Sequence, residues 1–151
     1  LVNDLLHSCH GPRWSVRIDT QKLSADDKKT LEGCQVTVID SVEGREDEGS
    51  KYSGGQKVII GEACALGLSM LAVQRSGLRG ITLVRDETGA ALDPGNAEVY
   101  VKMLRRAAGQ IGADRIFFVC HTPQVSELAD ARITVSNGKL LIDAQAGREA
   151  A

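Results

Sequence analysis

The sequence predicts an α/β domain: a mostly parallel sheet with flanking helices, closed by a C-terminal β-hairpin. Three observations carry that prediction. Two short apolar runs, Ile81 to Val84 and Ile116 to Cys120, flank an amphipathic helical pattern. Strand, helix and strand over about forty residues make a right-handed crossover joining parallel strands. A nearly continuous apolar stretch over 57–76 reads as a helix packed between layers. Asn137-Gly138, set between two short strand-like runs, is the dipeptide favoured by type I′ hairpins. With 151 residues, 42% hydrophobic and 25% charged, the chain fits one globular domain and excludes disordered or collagen-like structure. Aromatics are only 3%, so the core is aliphatic. A net charge of −2 gives no basic footprint for nucleic acid.

The elements follow in order. Asn3 to Ser8 reads as the last turns of a helix, broken at Gly11-Pro12. Trp14, Val16 and Ile18 alternate with polar residues, as in a half-buried strand. The polar stretch 21–33, with Asp26, Asp27, Lys28 and Lys29, is expected to be a loop or short exposed helix. Val36 and Val38 mark a second strand, and Glu43 to Lys51 reads as a solvated charged connector. Ser53 is placed to cap the long apolar helix, and Gly77 to end it. The run Ile81 to Val84 predicts a buried strand closing on Arg85, Asp86 and Glu87. Asp93-Pro94 then gives an N-cap with proline at the first helical position, and Ala97, Val101, Leu104, Ala108 and Ile111 recur on one face up to Gly112. Ile116 to Cys120 is the next buried-type strand, Thr122-Pro123 opens a short helix, and residues from Ala144 onward form a polar tail.

No stretch approaches about twenty apolar residues free of charge, so no membrane span is expected. The chain opens on Leu1 without a secretion signal and reads as an excised piece of something longer. The four cysteines, Cys9, Cys34, Cys64 and Cys120, form no Cys-x-x-Cys pair and fit reduced thiols in a cytosolic protein. His7, Cys9 and His10 lack the distant partner pair of a metal site and read as structural.

Three places carry chemistry. Ser53-Gly54-Gly55-Gln56 opens the apolar helix, where unpaired N–H groups and the helix dipole favour an anion and two glycines permit close approach. The same tetrapeptide also reads as a plain glycine-rich helix entry. Asp86-Glu87 closes a strand at the carboxyl edge of a parallel sheet, where open α/β folds bind ligands. One carboxylate there can hold Mg²⁺ while the other orients or deprotonates water, unless both simply face solvent. His121 ends the neighbouring strand at that same edge.

The order Ser-Gly-Gly-Gln, apolar helix, strand into Asp-Glu, Ala-Leu-Asp-Pro, helix, strand into His resembles the C-terminal half of an ABC-type ATPase head. Ser53 to Gln56 resembles the signature motif, Ile81 to Glu87 the Walker B strand, Ala91 to Pro94 the D-loop, and His121 the switch histidine. Within that superfamily the sequence is most similar to the SbcC family, the SMC-like ATPases of DNA double-strand-break repair. Asn3-Asp4-Leu5-Leu6 running into Trp14-Ser15-Val16 resembles a coiled-coil end meeting the first strand of that lobe. Strands stand where transporter ATPases carry a helical subdomain. The resemblance implies that residues 1–13 end a coiled-coil or helical lead-in, 14–143 form the lobe, and 144–151 are a tail.

The resemblance further implies ATP and Mg²⁺ as ligands, with Asp86 on the metal, Glu87 activating water and His121 sensing the γ-phosphate. Ser53, Gly54, Gly55 and Gln56 would face the nucleotide of an opposite head, and Asp93 would couple the two sites. Expected partners are an N-terminal phosphate-loop lobe of the same parent, a second head, a nuclease subunit and DNA, with no membrane. The expected location is the cytoplasm, at the nucleoid in a bacterium, or the nucleus in a eukaryote. No Gly-x-x-x-x-Gly-Lys-Ser/Thr loop occurs, so the fragment alone is expected to bind ATP weakly or not at all. Tyr52 replaces a usual leucine, Thr88-Gly89 the usual Pro-Thr, and Arg85 an apolar residue. Arg85 is expected to pair with Asp86 and compete with Mg²⁺. Other readings are an SMC- or RecN-like chromosome-organising head and a non-hydrolysing docking lobe. Arg75, Arg79, Arg105, Arg106 and Arg115 are scattered basic residues that give little independent support for DNA binding.

Overall fold

The computed structural model describes residues 1–23, 30–89 and 92–144. Helix α1 (Val2–His10) leads into an antiparallel sheet of β1 (Trp14–Leu23), β2 (Thr30–Asp40) and β3 (Arg45–Glu48). Helix α2 (Gly54–Ser76) follows, then β4 (Thr82–Asp86), α3 (Pro94–Ile111) and β5 (Arg115–Val119). A short α4 (Pro123–Ser126) precedes the hairpin of β6 (Ala131–Ser136) and β7 (Lys139–Ala144).

The crossover is present: β4 and β5 run parallel, with Leu83 beside Ile116 and Asp86 beside Val119. The hairpin turns through Asn137 (φ 49°) and Gly138 (φ 70°), as a type I′ turn requires. Ser53 and Asp93 precede α2 and α3 with extended backbones, and Gly77 and Gly112 end them in the left-handed region.

The N-terminal region departs from expectation. The stretch expected as a loop or exposed helix is largely strand, because β1 continues to Leu23 and β2 begins at Thr30. Only residues 24–29 of it lie outside the described residues. The register shifts between Asp19 and Gln21 and then resumes, Gln21 opposite Glu32. The charged connector likewise contains β3. An edge strand needs backbone partners more than apolar side chains, and its charges find partners here: Arg17 reaches Glu46 at 2.9 Å and Lys51 reaches Asp47 at 2.7 Å.

Beneath this sheet lies the core of Leu5, Leu6, Trp14, Val38, Ile59, Leu66, Met70, Met103 and Leu104. Asp40 anchors one end of it. Its fully buried carboxylate accepts from Arg13 Nε at 3.0 Å and Nη2 at 2.8 Å, and from Trp14 Nε1 at 3.1 Å. The backbone N–H groups of Val42 and Glu43 donate to its other oxygen. His7, in the cluster read as structural, bonds through Nε2 to Trp14 O and Ser15 Oγ, and His10 stacks on the Trp14 ring at 4.3 Å.

Helix α2 is not enclosed on all sides as its composition suggested. It buries Ile59, Ile60, Glu62, Ala63, Leu66, Gly67 and Met70, while Leu68 remains 58% exposed. By length and composition α2 would suffice to cross a membrane, although Lys57, Glu62 and Arg75 lie within it, so it is not a charge-free apolar run of about twenty residues. Its inner face packs against α1 and α3. Strands β4 and β5 are also buried on one face only. Leu83 points inward, whereas Val84, Phe117 and Val119 stay about half exposed or more. Parallel sheets are normally covered on both faces.

Candidate functional site

The carboxyl ends of β4 and β5 bring three of the expected residues to one edge. Asp86 ends β4, Glu87 follows it, and His121 lies just past β5. Glu87 adopts a left-handed backbone, φ 52°, rare for a residue with a side chain. Its N–H donates to Val119 O at 2.9 Å, which ties the turn to the neighbouring strand. Glu87 Oε1 lies 3.0 Å from His121 Nε2, and both side chains are exposed. Strained backbone held in place beside a carboxylate–imidazole pair is the arrangement found at functional turns.

The Asp86 carboxylate is exposed and has no hydrogen-bond partner among the described residues. The expected Arg85–Asp86 pair is not formed. Successive residues of a strand point to opposite faces, so Arg85 turns inward while Asp86 turns out. Arg85 instead meets Glu62 of α2, Nε to Oε1 at 2.5 Å and Nη2 to Oε2 at 2.6 Å. The Glu62 carboxylate pushes the Arg85 pKa up, so the guanidinium is firmly charged and kept away from Asp86. One unencumbered carboxylate suits Mg²⁺, which usually takes one or two carboxylates with phosphate and water completing its shell. Among the described residues no cluster of three or more His, Cys, Asp or Glu side chains could hold a metal by itself.

The other expected residues lie at helix starts. Gln56 Oε1 accepts the Ser53 N–H at 3.0 Å in a capping-box arrangement, so part of Gln56 serves the helix entry. Gly54 has open space around it, which leaves the first turn of α2 approachable. Asp93 caps α3. Its Oδ1 accepts the Asn96 N–H at 3.0 Å and its Oδ2 accepts from Asn96 Nδ2 at 2.6 Å. Those bonds, the backbone one foremost, hold its carboxyl below the usual carboxylate range. Ala91, the first residue of the expected D-loop, lies outside the described residues. Among the described residues no hydrogen bond or ion pair joins Ser53–Gln56 to Asp86, Glu87 or His121, so the expected site residues fall into two groups.

Two side chains at the site escaped the sequence reading. Glu62 sits within the apolar run of α2 and is 4% exposed. Tyr100 of α3 is buried, and its hydroxyl bonds to Thr88 Oγ1 directly behind Glu87. A signal for Glu62 was available: one carboxylate in an apolar helix and one arginine in an apolar strand are candidates for each other.

No family model matches the chain, and no curated protein does. Among solved structures, an SMC ATPase from work on ATP-driven dimerisation and DNA-stimulated activation superposes with a TM-score of 0.62 at 14% identity, covering 95% of this chain and 80% of that one. The SMC head bound to the C-terminal winged-helix domain of ScpA gives 0.63 at 14% identity, covering 95% of this chain and 43% of that one. The SMC head domain from Thermotoga maritima gives 0.51 at 24% identity, over 75% and 41% respectively. The chain thus spans less than half the length of the latter two. These likenesses establish the fold, that of the C-terminal lobe of an SMC head.

Proposed function

We propose that this chain is the C-terminal half of an ATP-hydrolysing head of the SMC-like class, which dimerises when ATP binds. The observation that carries the reading is the Glu87–His121 pair at 3.0 Å, set on a left-handed turn beside an Asp86 that has no partner among the described residues. In this reading Asp86 would hold Mg²⁺, which would screen the phosphate charge. Glu87 Oε2 has no hydrogen-bond partner among the described residues and is available to take a proton from the attacking water. His121, 81% exposed, exchanges Glu87 for the γ-phosphate. Ser53, Gly54, Gly55 and Gln56 present the start of α2 to the nucleotide of the opposite head, and Asp93 lies at the seam between heads.

The half-exposed Val84, Phe117 and Val119 support an N-terminal, phosphate-loop lobe as a further partner, because a parallel sheet wants its second face covered. ATP binding joins two heads and hydrolysis releases them, a population shift driven by contacts that exist only with the γ-phosphate. Glu87→Gln in the full parent tests this reading. ATP-dependent dimers should persist while turnover is lost, and turnover at the wild-type rate would remove Glu87 from its role.

The finer assignment is to chromosome maintenance or DNA repair, at the nucleoid or in the nucleus. ScpA-bound heads among the structural neighbours favour the chromosome-organising reading. An SbcC-type repair enzyme would instead be stimulated by DNA ends together with a nuclease subunit. DNA contact draws little from the scattered arginines, since Arg105 is engaged with Leu128 O at 3.0 Å and Asp130 at 2.7 Å.

A further inference from the structure

Glu62 and Arg85 link the helix that follows Ser53–Gln56 to the strand that ends at Asp86. Glu62 lies more than two turns along α2 from the Ser53 end, and Arg85 immediately precedes Asp86. Their side chains are 4% and 19% exposed and meet through two parallel hydrogen bonds of 2.5 and 2.6 Å. Such a fork fixes orientation as well as distance, which an aliphatic contact does not. On the other side of Glu87, the Thr88 hydroxyl is tied to Tyr100 of α3. Gly89 is closed in, since a Cβ there would lie 3.3 Å from Val125 Cγ2. Asp86 and Glu87 are therefore held between a polar anchor to α2 and a polar anchor to α3, the two helices whose first turns carry Ser53–Gln56 and follow Asp93.

A buried ion pair adds little net stability over a well-packed apolar pair, because desolvation consumes most of the attraction. Stability alone thus gives no reason to place charges here, whereas geometric definition does. We propose that Glu62 and Arg85 are positioning residues, a rigid strut that transmits displacement of α2, when Ser53–Gln56 engages nucleotide, to Asp86 and Glu87. The proposal rests on the functional reading above.

The test uses steady-state ATP hydrolysis by the full parent protein carrying Glu62→Leu together with Arg85→Leu. This double variant keeps the contact filled and removes the fork. The expected result is a fall in kcat of about tenfold, KM within about twofold of wild type, ATP-dependent dimers retained and the Hill coefficient for ATP reduced. A kcat within about twofold of wild type with an unchanged Hill coefficient would overturn the proposal. Should the double variant not fold, Arg85→Lys decides. It keeps the charge, loses the fork and is expected to lower kcat about threefold or more at constant KM. Full turnover by Arg85→Lys would overturn the proposal equally. Failure of the underlying reading looks different: wild-type protein would not hydrolyse ATP, or Glu87→Gln would remain active.

Discussion

Arg85→Leu alone strands the Glu62 carboxylate in the interior. Removing one member of a buried pair typically costs about 3–5 kcal/mol, and Glu62 is only 4% exposed. Arg85 is 19% exposed, so some of its charge was already solvated, which places the loss near the lower end, about 3 kcal/mol. The reciprocal Glu62→Leu should cost less, about 1–2 kcal/mol, since the Arg85 stem can extend its head through that opening. The double replacement should return close to wild type, a coupling of several kcal/mol between two side chains in direct contact. Native-state hydrogen exchange in the parent protein reads this locally, on peptides covering β4 and α2. At about 1.4 kcal/mol per decade, Arg85→Leu should speed exchange there roughly a hundredfold, and the double variant should restore protection. Exchange in Arg85→Leu within about threefold of wild type, or costs that simply add, would refute the account of a buried, mutually dependent pair.

The acid limb of stability should depend on Asp40. Its pKa is held well below the usual carboxylate range, chiefly by the Arg13 hydrogen bonds. The stabilisation is therefore complete above about pH 4, where the unfolded carboxyl also ionises, and is lost as pH falls through the native value. Asp40→Asn should lower neutral-pH stability and flatten the decline between about pH 4 and pH 2, which an acid titration of unfolding measures. Gly67→Ala would set a Cβ 2.5 Å from Val2 Cγ2 where α1 meets α2. Overpacking of about 1–3 kcal/mol should outweigh about 1 kcal/mol of helix propensity, and Val2→Ala should relieve the loss in a denaturation series. Leu66→Ala, at a side chain 1% exposed, should cost about 2–5 kcal/mol in the same series.

The crossover from β4 through α3 to β5 was legible because each boundary carried its own chemistry: Asp93-Pro94 to start the helix, Gly112 to stop it, and apolar runs on either side. The juxtaposition of Glu87 with His121 followed, since parallel neighbours place their carboxyl ends together. The strands within 21–33 and 45–48 were hidden because an antiparallel strand draws stability from backbone pairing, and β3 also from charges such as Arg17–Glu46, neither of which leaves an apolar period. Arg85 was misassigned for a related reason. Adjacency in sequence suggested Asp86 as its partner, whereas the pleat turns the two side chains to opposite faces, and Glu62 lies far away along the chain. Composition also overstated the burial of α2, β4 and β5, whose apolar outer positions have no covering layer within the described residues.

The proposed role, half of an ATP-hydrolysing head, requires a second half, and reading the native transcript upstream of Leu1 tests that proposal most directly. The account predicts a long heptad region preceded by a Gly-x-x-x-x-Gly-Lys-Ser/Thr phosphate loop in the same reading frame. A frame that opens near Leu1 and encodes no such loop would contradict it.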